Sequence, residues 1–195
     1  IMKDKLNALD GTTISVASSA ILGEEAHAKG VYTFKCFEYE GGPLLWEDKI
    51  ENVVCTLGKN LMLQTALTGS AYTVVGPYMG LISSVSYVSA PVAADTMASH
   101  TGWTEAGSTN APTFAARIAP AFGTASAGAI SLSTPTSFTM TGAGTLKGAF
   151  ITYGTGAVAT LMSTAGTLLS AGLFTAGDQP VNNANVVQVS YSLSL

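Results

Sequence analysis

In the last eleven residues, NVVQVSYSLSL (185–195), apolar and polar side chains alternate strictly from Val187 to the end. Val187, Val189, Tyr191, Leu193 and Leu195 fall on one side of an extended chain, and Gln188, Ser190, Ser192 and Ser194 on the other. A helix would scatter these two sets around its circumference. A strand, whose side chains point to opposite faces in turn, sorts them into one apolar and one hydroxyl face. Such a half-buried strand belongs in an antiparallel sheet with a core on one side only.

The rest of the chain supplies partners. VYTFKCFEYE (31–40) and LLWEDKIENVVCT (44–56) flank a Gly-Gly-Pro turn and read as a hairpin. In its second arm Leu44, Trp46, Ile50 and Val54 share one face, and Glu47, Lys49 and Glu51 the other. PYMGLISSVSYV (77–88) alternates with Met79, Leu81, Val85 and Tyr87 on one side. TFAARIA (113–119), ISLST (130–134), SFTMTG (137–142), TLKGAFITYG (145–154) and TLLSAGLFT (167–175) follow as strands, each bounded by Gly, Pro, Asn or Ser. Many short strands at this spacing predict a mainly β fold, an antiparallel β-sandwich or jelly-roll-like domain. A terminal strand decorated by serine rather than lysine has little protection as an edge, so it pairs either inside the chain or with another subunit.

One helix is expected, within GKNLMLQTALTG (58–69) and spanning about 60–68. Asn60 is its expected N-cap, Gly69 its stop, and Leu61, Met62, Thr65 and Ala66 its buried stripe. Residues 1–30 mix small, polar and charged types without a period. They read as an N-terminal arm with a short helix near EEAHAKG (24–30), preceding a single β-rich domain over 31–195. Within that domain 31–56 form the hairpin, 58–69 the helix and 77–195 the antiparallel strands.

Charge is scarce and uneven. Charged residues make up 10% of the chain, against roughly 25% in ordinary soluble proteins. From Leu61 to Leu195 only Asp95, Glu105, Arg117, Lys147 and Asp178 are charged. A free-standing domain normally needs more than this to stay dispersed, so a homo-oligomer or larger assembly is expected. The net charge of −4 and the lack of a basic stripe argue against nucleic acid as partner. No apolar run reaches the roughly 18–20 residues of a membrane-spanning helix. ISVASSAIL (14–22) follows Lys3 and Lys5, but Asp4 and Asp10 and its small residues argue against a cleaved signal peptide. Cys36 and Cys55 sit in separate strand-like segments and are expected to be buried free thiols, although spacing alone does not decide between these and a disulfide.

The most chemical-looking stretch is DTMASHTGWTE (95–105). Ser99 and His100 with Asp95 superficially suggest a catalytic triad. Neighbours in a strand point to opposite faces, and in a helix they lie about 100° apart, so adjacent Ser and His rarely form a nucleophile–base bond. No G-x-S-x-G elbow accompanies them. The expected reading is a loop: Asp95 caps a helical turn through the amide of Met97 or Ala98, His100 ends it, and Trp103 anchors the loop in the core or against a neighbour. Metal binding is not expected either, because His27 and His100 belong to no ligand-spaced motif. Asp178 with Asn182, Asn183 and Asn185 reads as a turn-rich loop, being too poor in carboxylates for Ca²⁺. Glu38/Glu40 and Glu47/Asp48 could be offered as paired carboxylates for glycoside hydrolysis, but they read as a solvated or salt-bridged face on strands beside Lys35 and Lys49. GKN (58–60) lacks the rest of a phosphate-binding loop. Trp46, Tyr78, Tyr87 and Trp103 are the available platforms should the chain bind carbohydrate. No catalytic residue and no cofactor is therefore expected.

Several strings resemble a family of tailed-bacteriophage structural proteins: WEDKIENVVCTLGKNLML (46–63), YMGLISSVSYVSAPVAADTMASHTGWTEAG (78–107), GTLKGAFITYG (144–154), GTLLSAGLFTAGD (166–178) and VVQVSYSLSL (186–195). The similarity runs from about residue 30 to the end, and DTMASHTGWTEAG is its most specific element. The resemblance implies a non-enzymatic virion protein assembled in the host cytoplasm. A capsid decoration or cement protein is the expected role, contacting the major capsid protein and copies of itself. A tail adaptor or fibre-attachment protein contacting tail proteins is the alternative, and a carbohydrate-binding adhesion module a more distant one. Trp46, Trp103 and Tyr78 are the expected interface residues, together with the 1–30 arm, which matches no relative.

Overall fold

The protein's structure, a computed structural model, describes residues 28–68 and 75–195. Its elements in chain order are β1 (Lys29–Phe37), β2 (Leu44–Val54), α1 (Thr56–Leu67), β3 (Tyr78–Ser83), β4 (Thr104–Glu105), β5 (Ala129–Ser131), β6 (Thr136–Thr139), β7 (Gly144–Tyr153), β8 (Thr167–Leu173), β9 (Gln179–Val181) and β10 (Val186–Ser194). The strands join in the order β4-β3-β7-β8-β2-β1-β10-β5, with β6 also on β10 and β9 also on β7. Every one of these pairings is antiparallel. The mainly β, antiparallel class is as the sequence predicts.

The hairpin closes as expected. Gly42 N–H donates to the Tyr39 carbonyl (2.9 Å) and Glu38 N–H to the Pro43 carbonyl (3.0 Å). Gly41 sits at φ 73°, a left-handed conformation in which a Cβ is costly. Along β2 Trp46, Ile50 and Val54 of the expected inward set are at least half-buried, whereas Leu44 at the strand's start is exposed, as are Glu47, Lys49 and Glu51. From Val187 onward β10 keeps its alternation, with Val187, Val189, Tyr191 and Leu193 buried, and Val186 at its start is buried as well. It is not an edge. β1 pairs it along its whole length, from Lys29↔Ser194 to Phe37↔Val186, and β5 and β6 cover its other side.

β2 links the two wings of the sheet. Residues up to Asn52 pair with β1, and Val53 and Val54 then pair with β8. Side chains from both wings enter one hydrophobic cluster that includes Tyr32, Phe34, Ile50, Met79, Leu81, Ile151, Val189 and Tyr191. Burying each such large side chain contributes roughly 1.5–3 kcal/mol relative to leaving it exposed. A second cluster of Cys55, Ile82, Met97, Trp103, Phe150, Leu168 and Ala171 lies on the opposite faces of β3, β7 and β8. These strands are buried on both sides, because the 95–103 loop brings Met97 and Trp103 onto them.

Four expectations are corrected. The helix begins a turn early, at Thr56, with Cys55 rather than Asn60 at the cap position and no side chain bonding there. Its contact with the sheet is made by Gly58, whose added Cβ would meet Leu169 Cα at 2.9 Å. That close approach turns α1 so that only Leu61 and Met62 of the expected stripe are half-buried, and Thr65 and Ala66 are exposed. The strand expected over 77–88 stops at Ser83, whose hydroxyl accepts from Val85 N–H (2.9 Å) before Ser86 turns at φ 56°. Residues 113–119 form no strand; among the described residues a single bridge, Met79↔Ile118, is their only ladder contact. Lys29 and Gly30, expected in the arm's short helix, open β1 instead. The remainder of the arm, with His27, and the expected helix stop at Gly69 lie outside the described residues.

Candidate functional site

The loop that carries Asp95, His100 and Trp103 folds around the indole. Trp103 Nε1 donates to Asp95 Oδ2 (2.9 Å), and the Val92 amide donates to the same oxygen (3.1 Å). Asp95 therefore ties the loop back on itself, in place of the expected bond to Met97 or Ala98. No helical turn forms; Thr96 and Ser99 instead exchange backbone hydrogen bonds at 3.0 and 3.2 Å. His100 stacks on Trp103 with ring centroids 4.0 Å apart and planes 22° off parallel. Its Nδ1 lies 3.0 Å from the Trp103 carbonyl. Carbonyl oxygens only accept, so this nitrogen carries the proton.

Trp103 is 1% exposed and packs against Phe150. It belongs to its own chain's core, which corrects its expected place at an interface and removes it from any carbohydrate platform. Trp46 is half-buried, its indole edge-on to Phe174 and its Nε1 donating to the Pro180 carbonyl (3.0 Å). Tyr78 is half-buried at the start of β3, opposite Thr152. Tyr87 carries Lys147 Nζ 4.1 Å above its ring. Among the described residues no ring contact joins Trp46, Tyr78 and Tyr87.

Beside the loop lies a pair that the sequence reading missed. Arg117 meets Glu105 through two parallel hydrogen bonds, Nε to Oε1 (2.7 Å) and Nη2 to Oε2 (2.8 Å), with both side chains almost wholly buried. The guanidinium also donates to the carbonyls of Ser163 (2.7 Å) and Val158 (3.4 Å) and lies over the Phe150 ring. Glu105 Oε2 accepts from Met162 N–H (2.7 Å). A planar fork matched to a carboxylate suits burial because nearly every donor and acceptor finds a partner. The signal was present: opposite charges in so uncharged a stretch need internal partners. Around this pair Met97, His100, Trp103, Asn110, Phe150 and Met162 line a cavity of about 170 Å³.

The other candidates resolve into structure. Asp178 pairs with Lys147 Nζ (2.5 Å), and Asn185 Oδ1 accepts from Asn182 N–H (2.7 Å), closing the expected turn. Asp48 is not a solvated partner of Glu47; it accepts from Thr175 N–H and hydroxyl and from Ala176 N–H, pinning that loop to β2. Cys36 and Cys55 are free and buried. Burial pushes the Cys36 thiol up to about 11. Burial, helped by nearby Asp95 and opposed by Lys59, pushes Cys55 up to about 12. Among the described residues no group of three or more His, Cys, Asp or Glu is placed to hold a metal, and no helix is long and apolar enough to cross a membrane.

Compared with known protein families, curated proteins and solved structures, the chain matches none of them.

Proposed function

We propose that this chain is a non-enzymatic structural subunit of a tailed-phage virion, a capsid decoration or cement protein that stabilises the shell through the major capsid protein and copies of itself. The carrying observation is the fate of its charges. All five charged residues of the last 135 are engaged internally: Glu105 with Arg117, Lys147 with Asp178, and Asp95 with Trp103. Apart from the partly exposed Lys147–Asp178 pair, the surface of that region is left to hydroxyls, amides and apolar groups. Leu57, Leu63 and Leu67 on α1, and Val88 and Val92 in the loop between β3 and β4, stand 47–78% exposed. Thr56 N–H donates to the Ala93 carbonyl (2.8 Å), placing the Leu57 end of the helix beside Val92. Apolar surface with little charge to keep copies apart suits a repeated subunit whose neighbours cover it. Many modest contacts of this kind add through multivalency. A β-sandwich or jelly-roll arrangement of the two wings accords with this reading.

Cryo-electron microscopy of the source particle tests the proposal. Density for this chain at hundreds of copies on the capsid is the expected result. Its absence from the shell overturns the decoration role, and about six to eighteen copies at the tail would establish the adaptor reading instead.

A further inference from the structure

We infer that Met97, His100 and Met162 form a binding site for a soft monovalent metal ion of the Cu(I) type. Met97 and His100 come from the 95–103 loop and Met162 from the loop between β7 and β8, and all three line one cavity of about 170 Å³. They offer an imidazole nitrogen and two thioether sulfurs, a donor set that favours soft metals over Zn²⁺ or Ca²⁺. The Met162 sulfur also accepts a long contact from Asn110 Nδ2 (3.9 Å), which a bound ion would have to displace or share.

Two devices hold the donors in place. His100 commits Nδ1–H to the Trp103 carbonyl (3.0 Å) and is stacked on the indole. In the neutral ring the other nitrogen, Nε2, presents its lone pair, and no atom of the described residues occupies it. A ligating histidine is typically oriented in this way, by donating its second N–H to a carbonyl or carboxylate. Met162 is held at φ 61°, a left-handed conformation that an ordinary side chain seldom adopts without a reason. The bond from its amide to Glu105 Oε2 fixes it there, and the Arg117 fork fixes Glu105. The buried ion pair thereby becomes a clamp on the residue that carries a thioether to the cavity.

Charge selects the ion. Glu105 is neutralised by Arg117, and no uncommitted carboxylate or thiolate lines the cavity. Desolvation cost rises steeply with ionic charge, so neutral donors in an apolar cavity suit a monovalent ion and leave a divalent one uncompensated. Met97 is buried, and the partly exposed Met162 marks the solvent side through which an ion enters. Two of the three donors are methionines, so no His, Cys or carboxylate motif marks the site in the sequence.

The test is a titration of the full chain with Ag(I), a redox-inert stand-in for Cu(I), in chloride-free buffer. Cys36→Ala/Cys55→Ala provides a thiol-free background. The expected result is one bound equivalent, with the His100 Nε2 resonance shifting and Trp103 fluorescence quenched. Met97→Leu and Met162→Leu should each weaken binding at least tenfold, and Met62→Leu, on α1, should leave it unchanged. Should the double cysteine variant fail to fold, the same His100 resonance is followed in the parent chain, whose thiols are buried. A silent His100 resonance overturns the assignment, as does unchanged affinity in Met162→Leu.

Discussion

Arg117 grips Glu105 through two hydrogen bonds of 2.7 and 2.8 Å in a site nearly closed to water. Removing one partner strands a buried charge, which typically costs about 3–5 kcal/mol. Arg117→Met and Glu105→Gln should each lower stability by an amount in that range. The double variant should lose less than the sum of the two. Denaturant unfolding of all four proteins completes the cycle, and strictly additive losses would show that the pair is not coupled.

Asp95 receives two bonds, from Trp103 Nε1 and Val92 N–H. Bonds to a charged acceptor contribute roughly 1.5–3 kcal/mol each when buried, and less where water reaches them. Asp95→Ala should therefore lower the unfolding midpoint and red-shift Trp103 emission as the loop opens to water. An unchanged emission spectrum would contradict the anchoring role.

Gly58 lies where α1 touches β8, and a methyl there would meet Leu169 Cα at 2.9 Å and the Leu168 carbonyl at 3.0 Å. Both are backbone atoms, so the helix itself has to move. Alanine normally favours a helix over glycine by up to about 1 kcal/mol. Here Gly58→Ala should destabilise instead, by roughly 1–3 kcal/mol from overpacking. Thermal unfolding decides the sign.

Alkali should weaken the fold in a defined window. Cys36 and Cys55 ionise near 9 when free and only at about 11 and 12 when folded. Above pH 9 the unfolded chain therefore releases protons that the folded chain retains, and stability falls as pH rises. The loss continues up to the folded values. Tyr32 and Tyr191, both pushed above 10 chiefly by burial, add to it from pH 10 upward. Denaturation midpoints at pH 8 and pH 10 measure the effect, and Cys36→Ala with Cys55→Ala should flatten the slope between them. A midpoint independent of pH over this range would contradict the burial of these groups.

Leu63 and Leu67 stand 57% and 78% exposed on α1. Leu63→Lys and Leu67→Lys should leave the stability of the isolated chain within about 0.5 kcal/mol of the parent. Incorporation into particles should fall if this face is covered in the assembly. Sedimentation of assembled particles with each variant reads the difference.

The sequence by itself determined the β character, the hairpin and the inward set of β10. Each rests on local alternation and turn residues, and a period-two pattern survives whatever partners a strand finds. It determined as well that the region after residue 60 had few charges to spend on solubility. The tertiary structure alone decided where those charges went. Glu105 and Arg117 are twelve residues apart, and only the approach of the 113–119 segment to β3 and β4 brings them together. It also decided that Trp103 lies in the core. A tryptophan after a glycine in a polar loop carries no mark of inside or outside, and burial came from the second face of β3, β7 and β8, which local alternation does not reveal. The helix turned away from its expected stripe for the same reason: a backbone contact at Gly58, and not the pattern of its apolar residues, set its orientation.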